Sequence, residues 1–145
     1  MIEVKFTKLG ADVKTPEYAT PQASGMDVFA IEDIALQPGE IKLAKTGLKV
    51  AVAEGLEVQV RPKSGLALKG LTVVNSPGTI DCDYRGEIGV ILANIGKEEI
   101  TIAKDNKMAQ LVVCPVEPGK YVQMEIVEEL TDTDRGEGGF GSTGE

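Results

Sequence analysis

Leu48-Lys49-Val50-Ala51-Val52-Ala53-Glu54-Gly55-Leu56-Glu57-Val58-Gln59-Val60-Arg61 holds two runs of strict alternation joined at a Glu-Gly turn. Leu48, Val50 and Val52 share one side of the first run, and Leu56, Val58 and Val60 share one side of the second. Successive side chains of a strand point to opposite faces, so each run can bury one face and wet the other. The pattern recurs outward in both directions. Ile2, Val4 and Phe6 precede it; Ile88, Val90 and Leu92 follow, then Ile100 with Ile102, and last Val122, Met124 and Ile126. Turn residues separate the runs: Pro38-Gly39, Ser76-Pro77-Gly78, Asn94-Ile95-Gly96, Asp105-Asn106 and Pro118-Gly119. Many short strands with Gly and Pro punctuation predict an all-β sandwich or barrel. One stretch reads as helical, with Ser64 as cap, Gly65 to Lys69 as the turn and Gly70 as the stop.

Composition narrows the chemistry. With 145 residues, one domain is expected. No Trp is present and aromatics are 4%, so Val, Ile, Leu and Ala must build the core. The net charge of -8 disfavours nucleic acid and anionic membranes as partners, because both need broad basic surfaces. It leaves room for a small anion held by a few local cations. The chain has no His, which removes Ser-His-Asp and Cys-His catalysis. Cys82 and Cys114 lack CxxC spacing, so they read as buried reduced thiols and not as a zinc site. No leader-like segment or membrane-length apolar run is seen, and cytoplasm is the expected compartment. Residues 1–130 read as the β domain and 131–145 as a tail, in which five glycines accompany one Arg and one Phe.

Five segments carry candidate chemistry. Asn75-Ser76-Pro77-Gly78-Thr79-Ile80-Asp81-Cys82-Asp83-Tyr84-Arg85-Gly86 joins two apolar runs. A hairpin here would present backbone N–H and C=O groups that can read a base edge, and Asp81 beside Ile80 would be partly desolvated, as suits a general base. Arg61-Pro62-Lys63-Ser64-Gly65-Leu66-Ala67 places a Ser and two cations at a helix start, where free N–H groups suit phosphate. Arg135-Gly136-Glu137-Gly138-Gly139-Phe140-Gly141-Ser142-Thr143-Gly144 lacks the GK[ST] of a P-loop but offers Arg for phosphate and Phe for base stacking. Gln110 stands inside the apolar run Lys107–Val113, and Asp27 follows the turn Ala23-Ser24-Gly25-Met26. Alone, each is ordinary: a polar turn, a helix cap, a flexible linker, a half-exposed strand position and a strand-start Asp.

Together and in this order, the five segments resemble the five motifs of the trimeric dUTPase family: Ala23–Ala30, Arg61–Ala67, Asn75–Gly86, Lys107–Val113 and Arg135–Gly144. The resemblance implies a distorted jelly-roll barrel of the β-clip type, assembled as a threefold homotrimer whose active sites draw on all three chains. It implies hydrolysis of dUTP to dUMP and pyrophosphate, which limits uracil incorporation into DNA and supplies dUMP. The implied cofactor is Mg²⁺, held mainly by the triphosphate, with Asp27 supporting it through water. Asp81 matches the residue that activates the attacking water. Tyr84 matches the ring that packs on deoxyribose and leaves no room for a 2′-hydroxyl. Asn75, Gly78, Thr79 and Ile80 match the uracil-reading segment; Lys63, Ser64, Gly65 and Gln110 match phosphate-contacting positions. Arg135 matches the γ-phosphate arginine, Phe140 the ring that caps uracil, and Gly141, Ser142 and Thr143 the nearby phosphate ligands. This chain has Lys63 where the family usually has Arg, which keeps the charge but loses the planar fork, and Ser24 where Ala or Gly is common. Two other functions compete: a dCTP deaminase on the same fold, and a dUTP-sensing regulator without catalysis. The intact third motif and the full glycine tail favour the hydrolase over the first. Retention of Asp81, Tyr84, Arg135 and Phe140 together favours it over the second.

Overall fold

The computed structural model describes residues 1–142. Twelve strands, one helical turn and one short 3-10 turn make up the regular structure. The strands form a distorted jelly-roll barrel built from four antiparallel sheets. The opening stretch becomes β6 (Leu48–Val52) and β7 (Leu56–Arg61), but these two do not pair with each other. β6 pairs with β1 (Val4–Lys8). β7 lies in a five-stranded sheet of order β2-β3-β12-β7-β9, with β2 at Glu17–Tyr18, β3 at Met26–Phe29, β12 at Lys107–Pro115 and β9 at Gly78–Ile80. A second sheet joins β5 (Ile41–Lys45), β10 (Gly89–Asn94) and β8 (Leu71–Val73). A third pairs β4 (Ile34–Leu36) with β11 (Ile100–Ile102).

The alternating residues named from sequence form the core. Leu48, Val50, Val58, Val60, Ile88, Val90, Leu92, Ile100 and Ile102 are all buried in one cluster. Asn94 is the most enclosed polar side chain there. Its amide donates to the carbonyls of Leu36 (2.9 Å) and Glu98 (2.7 Å), while its oxygen accepts from Gly96 N–H (2.9 Å). A buried amide with all its groups paired fixes the turn after β10 without the cost of an unsatisfied polar group.

Three local expectations fail. Val122, Met124 and Ile126 alternate as a strand should, yet this segment is not a strand and all three are exposed. Alternation buries a face only where another strand supplies hydrogen bonds, and β12 is the last strand among the described residues. Ser64 is the first residue of the helical turn α1 (Ser64–Ala67) and not its cap. Lys63 holds the extended cap conformation, and no side chain bonds to the helix start. The helix ends at Ala67, short of the expected Lys69. Cys82 and Cys114 are free and half-buried, less enclosed than expected.

Candidate active site

Register along the five-stranded sheet decides which side chains meet. Residues directly opposite in antiparallel strands share a face. Glu17 faces Asp27, Asp27 faces Gln110, and Gln110 faces Arg61. Gln59, two residues from Arg61, faces Thr79. One face of the sheet is therefore a polar row across all five strands. The opposite face carries Met26, Val28, Leu111, Val58, Val60 and Ile80 into the core.

Asp27 lies at the start of β3, as the sequence suggested, second in the strand, between two neighbouring strands and only 3% exposed. An isolated buried carboxylate is costly, and this one is paired twice. Lys63 Nζ bonds Oδ1, and Lys107 Nζ lies 2.6 Å from Oδ2. A β-bulge between Lys107 and Ala109 shifts the register, so that Lys107 stands opposite Phe29 while Gln110 stands opposite Asp27. Burial pushes the Asp27 carboxyl up, but the hydrogen bonds and charges of Lys107 and Lys63 outweigh it and leave it below the ordinary carboxylate range. The hydrogen bond from Lys107 to Asp27, with the carboxylate's charge, raises the Lys107 ammonium in turn.

Lys107 was not singled out as a site residue from sequence. The only signal was chemical: an Asp in a buried strand needs cations, and none lies close in the chain. Two lysines sharing one carboxylate leave a local surplus of positive charge in a chain of net charge -8. Gln110 donates from Nε2 to the Pro62 carbonyl (2.9 Å), which ties β12 to the loop before the helical turn. Gly25 leaves the space for this, since a Cβ there would stand 2.1 Å from Gln110 Oε1. The Ser64 and Gly65 amides precede Leu66, the first donor of the helical turn, and open space surrounds the Gly65 Cα. Arg61 turns along the strand, donating from two nitrogens to Gln59 Oε1 (3.0 and 2.7 Å).

Replacing Asp27 by Asn is expected to cost about 2 kcal/mol of stability at neutral pH, through weakened charge-assisted hydrogen bonds. The sign of the pH effect follows from its depressed carboxyl. The stabilisation is present above the unfolded value of about 3.9 and is lost as pH falls through the folded value. Urea midpoints of wild type and Asp27→Asn should differ at pH 7 and converge in acid; a gap independent of pH would show that the pairing contributes nothing.

The third segment forms a second group. Its expected hairpin is instead a crossover: β8 belongs to the three-stranded sheet and β9 to the five-stranded one. Ser76 turns the chain by donating its hydroxyl to the Val73 carbonyl (2.5 Å), before a cis Ser76-Pro77 bond. β9 is the sheet's edge, paired to β7 on one side only among the described strands. A Cβ on Gly78 would stand 3.1 Å from Val60 Cβ and 3.3 Å from Asn75 Nδ2, so Gly78 allows Asn75 to fold against the edge. Thr79 points outward between buried Gly78 and Ile80. Asp81 follows and is exposed within the single chain, not desolvated by Ile80 as expected. Asp81 and Tyr84 border a shallow cavity of about 150 Å³ over Ile80 and Ile88.

The two groups do not meet within one chain. Ile80 stands opposite Val58, which brings Asp81 level with Glu57, while the lysine group lies beyond Arg61. Four residues of strand, about 13 Å at 3.3 Å each, separate these ends. The tail joins neither group. Arg135 Nε donates to the Gly138 carbonyl (2.8 Å), and the remaining hydrogen bonds of the described tail residues are equally local. Phe140 is fully exposed, and Gly141 and Ser142 are exposed beside it. Thr143 lies outside the described residues.

The dUTPase family model matches residues 11–144. The deoxyuridine 5′-triphosphate nucleotidohydrolase of Nautilia profundicola is 50% identical over 144 residues, covering 99% of each chain. That of Chlamydia caviae is 54% identical over 139 residues, 94% of this chain and 93% of the other. Among solved structures, the dUTPase of Staphylococcus bacteriophage 80alpha with dUPNHPP superposes with a TM-score of 0.88 at 26% identity, covering 98% of each chain. With the motif order, the strand arrangement and near-complete coverage in agreement, this chain belongs to the dUTPase family of enzymes.

Proposed function

We propose that the protein hydrolyses dUTP to dUMP and pyrophosphate in a site completed by three copies of the chain. The observation that carries this reading is the separation of the two groups. Lys63, Gln110 and the Ser64 amide suit phosphate, whereas the β9 edge, Asp81 and Tyr84 suit a nucleoside and its attacking water. Asp81 lies level with the start of β7 and the lysine group beyond its end, and in the proposed assembly different copies supply the two. Two further facts support an assembly. The accessible surface is 10133 Å², against about 7,200 Å² expected for a compact 15.4 kDa monomer. Met124, Ile126 and Leu130 also leave apolar surface uncovered just after the barrel. Closed threefold symmetry satisfies every copy alike. Sedimentation equilibrium should give three times the 15.4 kDa protomer mass; a single 15.4 kDa species at micromolar concentration would rule the shared site out.

The proposed reaction is in-line attack of water on the α-phosphorus. Asp81 accepts the water's proton as the new P–O bond forms and the bond to the β-phosphate bridging oxygen breaks, releasing pyrophosphate. Arg135 and the tail amides of Gly141 and Ser142 neutralise charge gathering on the leaving group, with Thr143 as a further ligand. Phe140 covers the uracil, whose edge meets the β9 backbone and Asn75. A 5-methyl group would clash with this close edge, and cytosine would present the wrong donors. Mg²⁺ fits one arrangement here. Among the described residues no cluster of three or more acidic, Cys or His side chains could cage a metal, and both Asp27 oxygens are occupied by lysines. The ion would be held by the triphosphate and water, with Asp27 reached through water, and would offset phosphate charge. Cytoplasm is the proposed compartment; no helix of the described residues is long and apolar enough to cross a membrane.

A further inference from the structure

We infer that Glu87 is a positioning residue: it fixes the Tyr84 ring and thereby sets the preference for deoxyribose over ribose. This deepens the proposed dUTP hydrolysis and rests on it. Tyr84 is half-exposed and hangs from an exposed loop, so its position must be imposed from elsewhere. Two contacts seat it. Its hydroxyl donates to the Glu87 backbone carbonyl at 3.1 Å. Its ring also occupies the space of the missing Gly86 side chain, where a Cβ would stand 2.2 Å from the hydroxyl oxygen and 2.4 Å from Cζ.

That seat is only as fixed as Glu87. The Glu87 carboxylate accepts the Gly47 N–H at 2.9 Å, and its other oxygen lies 3.8 Å from Lys45 Nζ. Ile88, the next residue, is buried and locked to the same turn. Its N–H donates to the Leu48 carbonyl (2.8 Å), and its carbonyl accepts from Thr46 N–H (3.2 Å) and Oγ1 (2.8 Å). The turn itself cannot shift easily. Gly47 has φ +68°, and the Val13 side chain lies 2.6 Å from where its Cβ would stand. Glu87 thus transmits the position of a rigid β5–β6 turn to the carbonyl that holds Tyr84, and it borders the same cavity as Asp81. The Glu87 carbonyl shares its peptide plane with the Ile88 N–H, so removing the carboxylate takes away one of two anchors and loosens the Glu87 Cα while the Ile88 bonds keep the barrel closed. Exclusion of one hydroxyl depends on ring placement well under its own size, so a small drift admits the ribonucleotide.

The test compares kcat/KM for dUTP and UTP in wild type, Glu87→Ala and Glu87→Gln, with melting temperatures on the same preparations. Glu87→Ala should lower the dUTP/UTP ratio by about 10-fold or more. Glu87→Gln, whose amide oxygen still accepts from Gly47, should restore the ratio to within about 3-fold of wild type. An unchanged ratio in Glu87→Ala overturns the inference, even if both activities fall together with the melting temperature, because that marks a purely structural role. If Glu87→Ala does not fold, Glu87→Asp shortens the side chain and draws the carboxylate away from Gly47; the same fall in ratio supports the inference and an unchanged ratio overturns it. A wild-type protein with no preference for dUTP would sink the proposed function first, so the two failures are distinguishable.

Discussion

Asp81→Asn is expected to turn over dUTP about 10²-fold or more slowly than wild type, with far less change in dUTP affinity. Asn keeps the size and most of the hydrogen bonding of Asp but cannot accept the proton of the attacking water. In the single chain Asp81 is exposed at the end of the sheet's edge strand, so its removal disturbs no packing. The melting temperature should therefore hold. Single-turnover kinetics with bound dUTP isolates the chemical step. Near-normal turnover would mean that another group activates the water; loss of binding alone would assign Asp81 to the sugar and not to the proton.

Deleting every residue after Thr133 should leave the proposed trimer intact and lower kcat/KM for dUTP steeply. β12, the last strand, ends at Pro115, and the described tail residues bond only among themselves. No core residue is lost. Ordering a Gly-rich segment costs about 1–2 kcal/mol of backbone entropy per residue, and Gly costs more than most. In the proposed reaction, contacts of Arg135 with phosphate and Phe140 with the base would offset that cost when nucleotide is bound, and the tail would act as a lid. Melting temperature and hydrolysis on one truncated preparation decide the matter. Unchanged kcat/KM would make the tail a linker, and collapse of the fold would make it structural. Mixing truncated chains with Asp81→Asn chains gives a sharper result. If sites are shared, mixed trimers regain activity that neither variant has alone, since some sites then combine an intact Asp81 with an intact tail.

The parts legible in the sequence are those governed by local pattern. Leu48–Val60 and Ile88–Leu92 alternate cleanly because each strand has one face in the core. The burial of Asp27 was not legible, because β3 is buried on both faces and no alternation marks which side is enclosed. Val122 to Ile126 shows the converse: a strand pattern with no partner strand among the described residues. Pairing is a property of two segments, and one segment's pattern does not reveal whether the other exists. The family motifs mark the proposed site residues, yet the contacts that hold them are long-range. Lys107 reaches Asp27 across a β-bulge, and Glu87 reaches the Gly47 turn. Neither leaves a trace in spacing, because sheet register places these residues side by side only after distant strands have paired.

The measurement that bears most directly on dUTP hydrolysis is pyrophosphate release from dUTP, dTTP, dCTP and UTP, each with and without Mg²⁺. Pyrophosphate should appear from dUTP, accelerated by Mg²⁺, with the other three nucleotides turned over at least about 10²-fold more slowly. Absence of pyrophosphate from dUTP, or ammonia released from dCTP, would contradict the account.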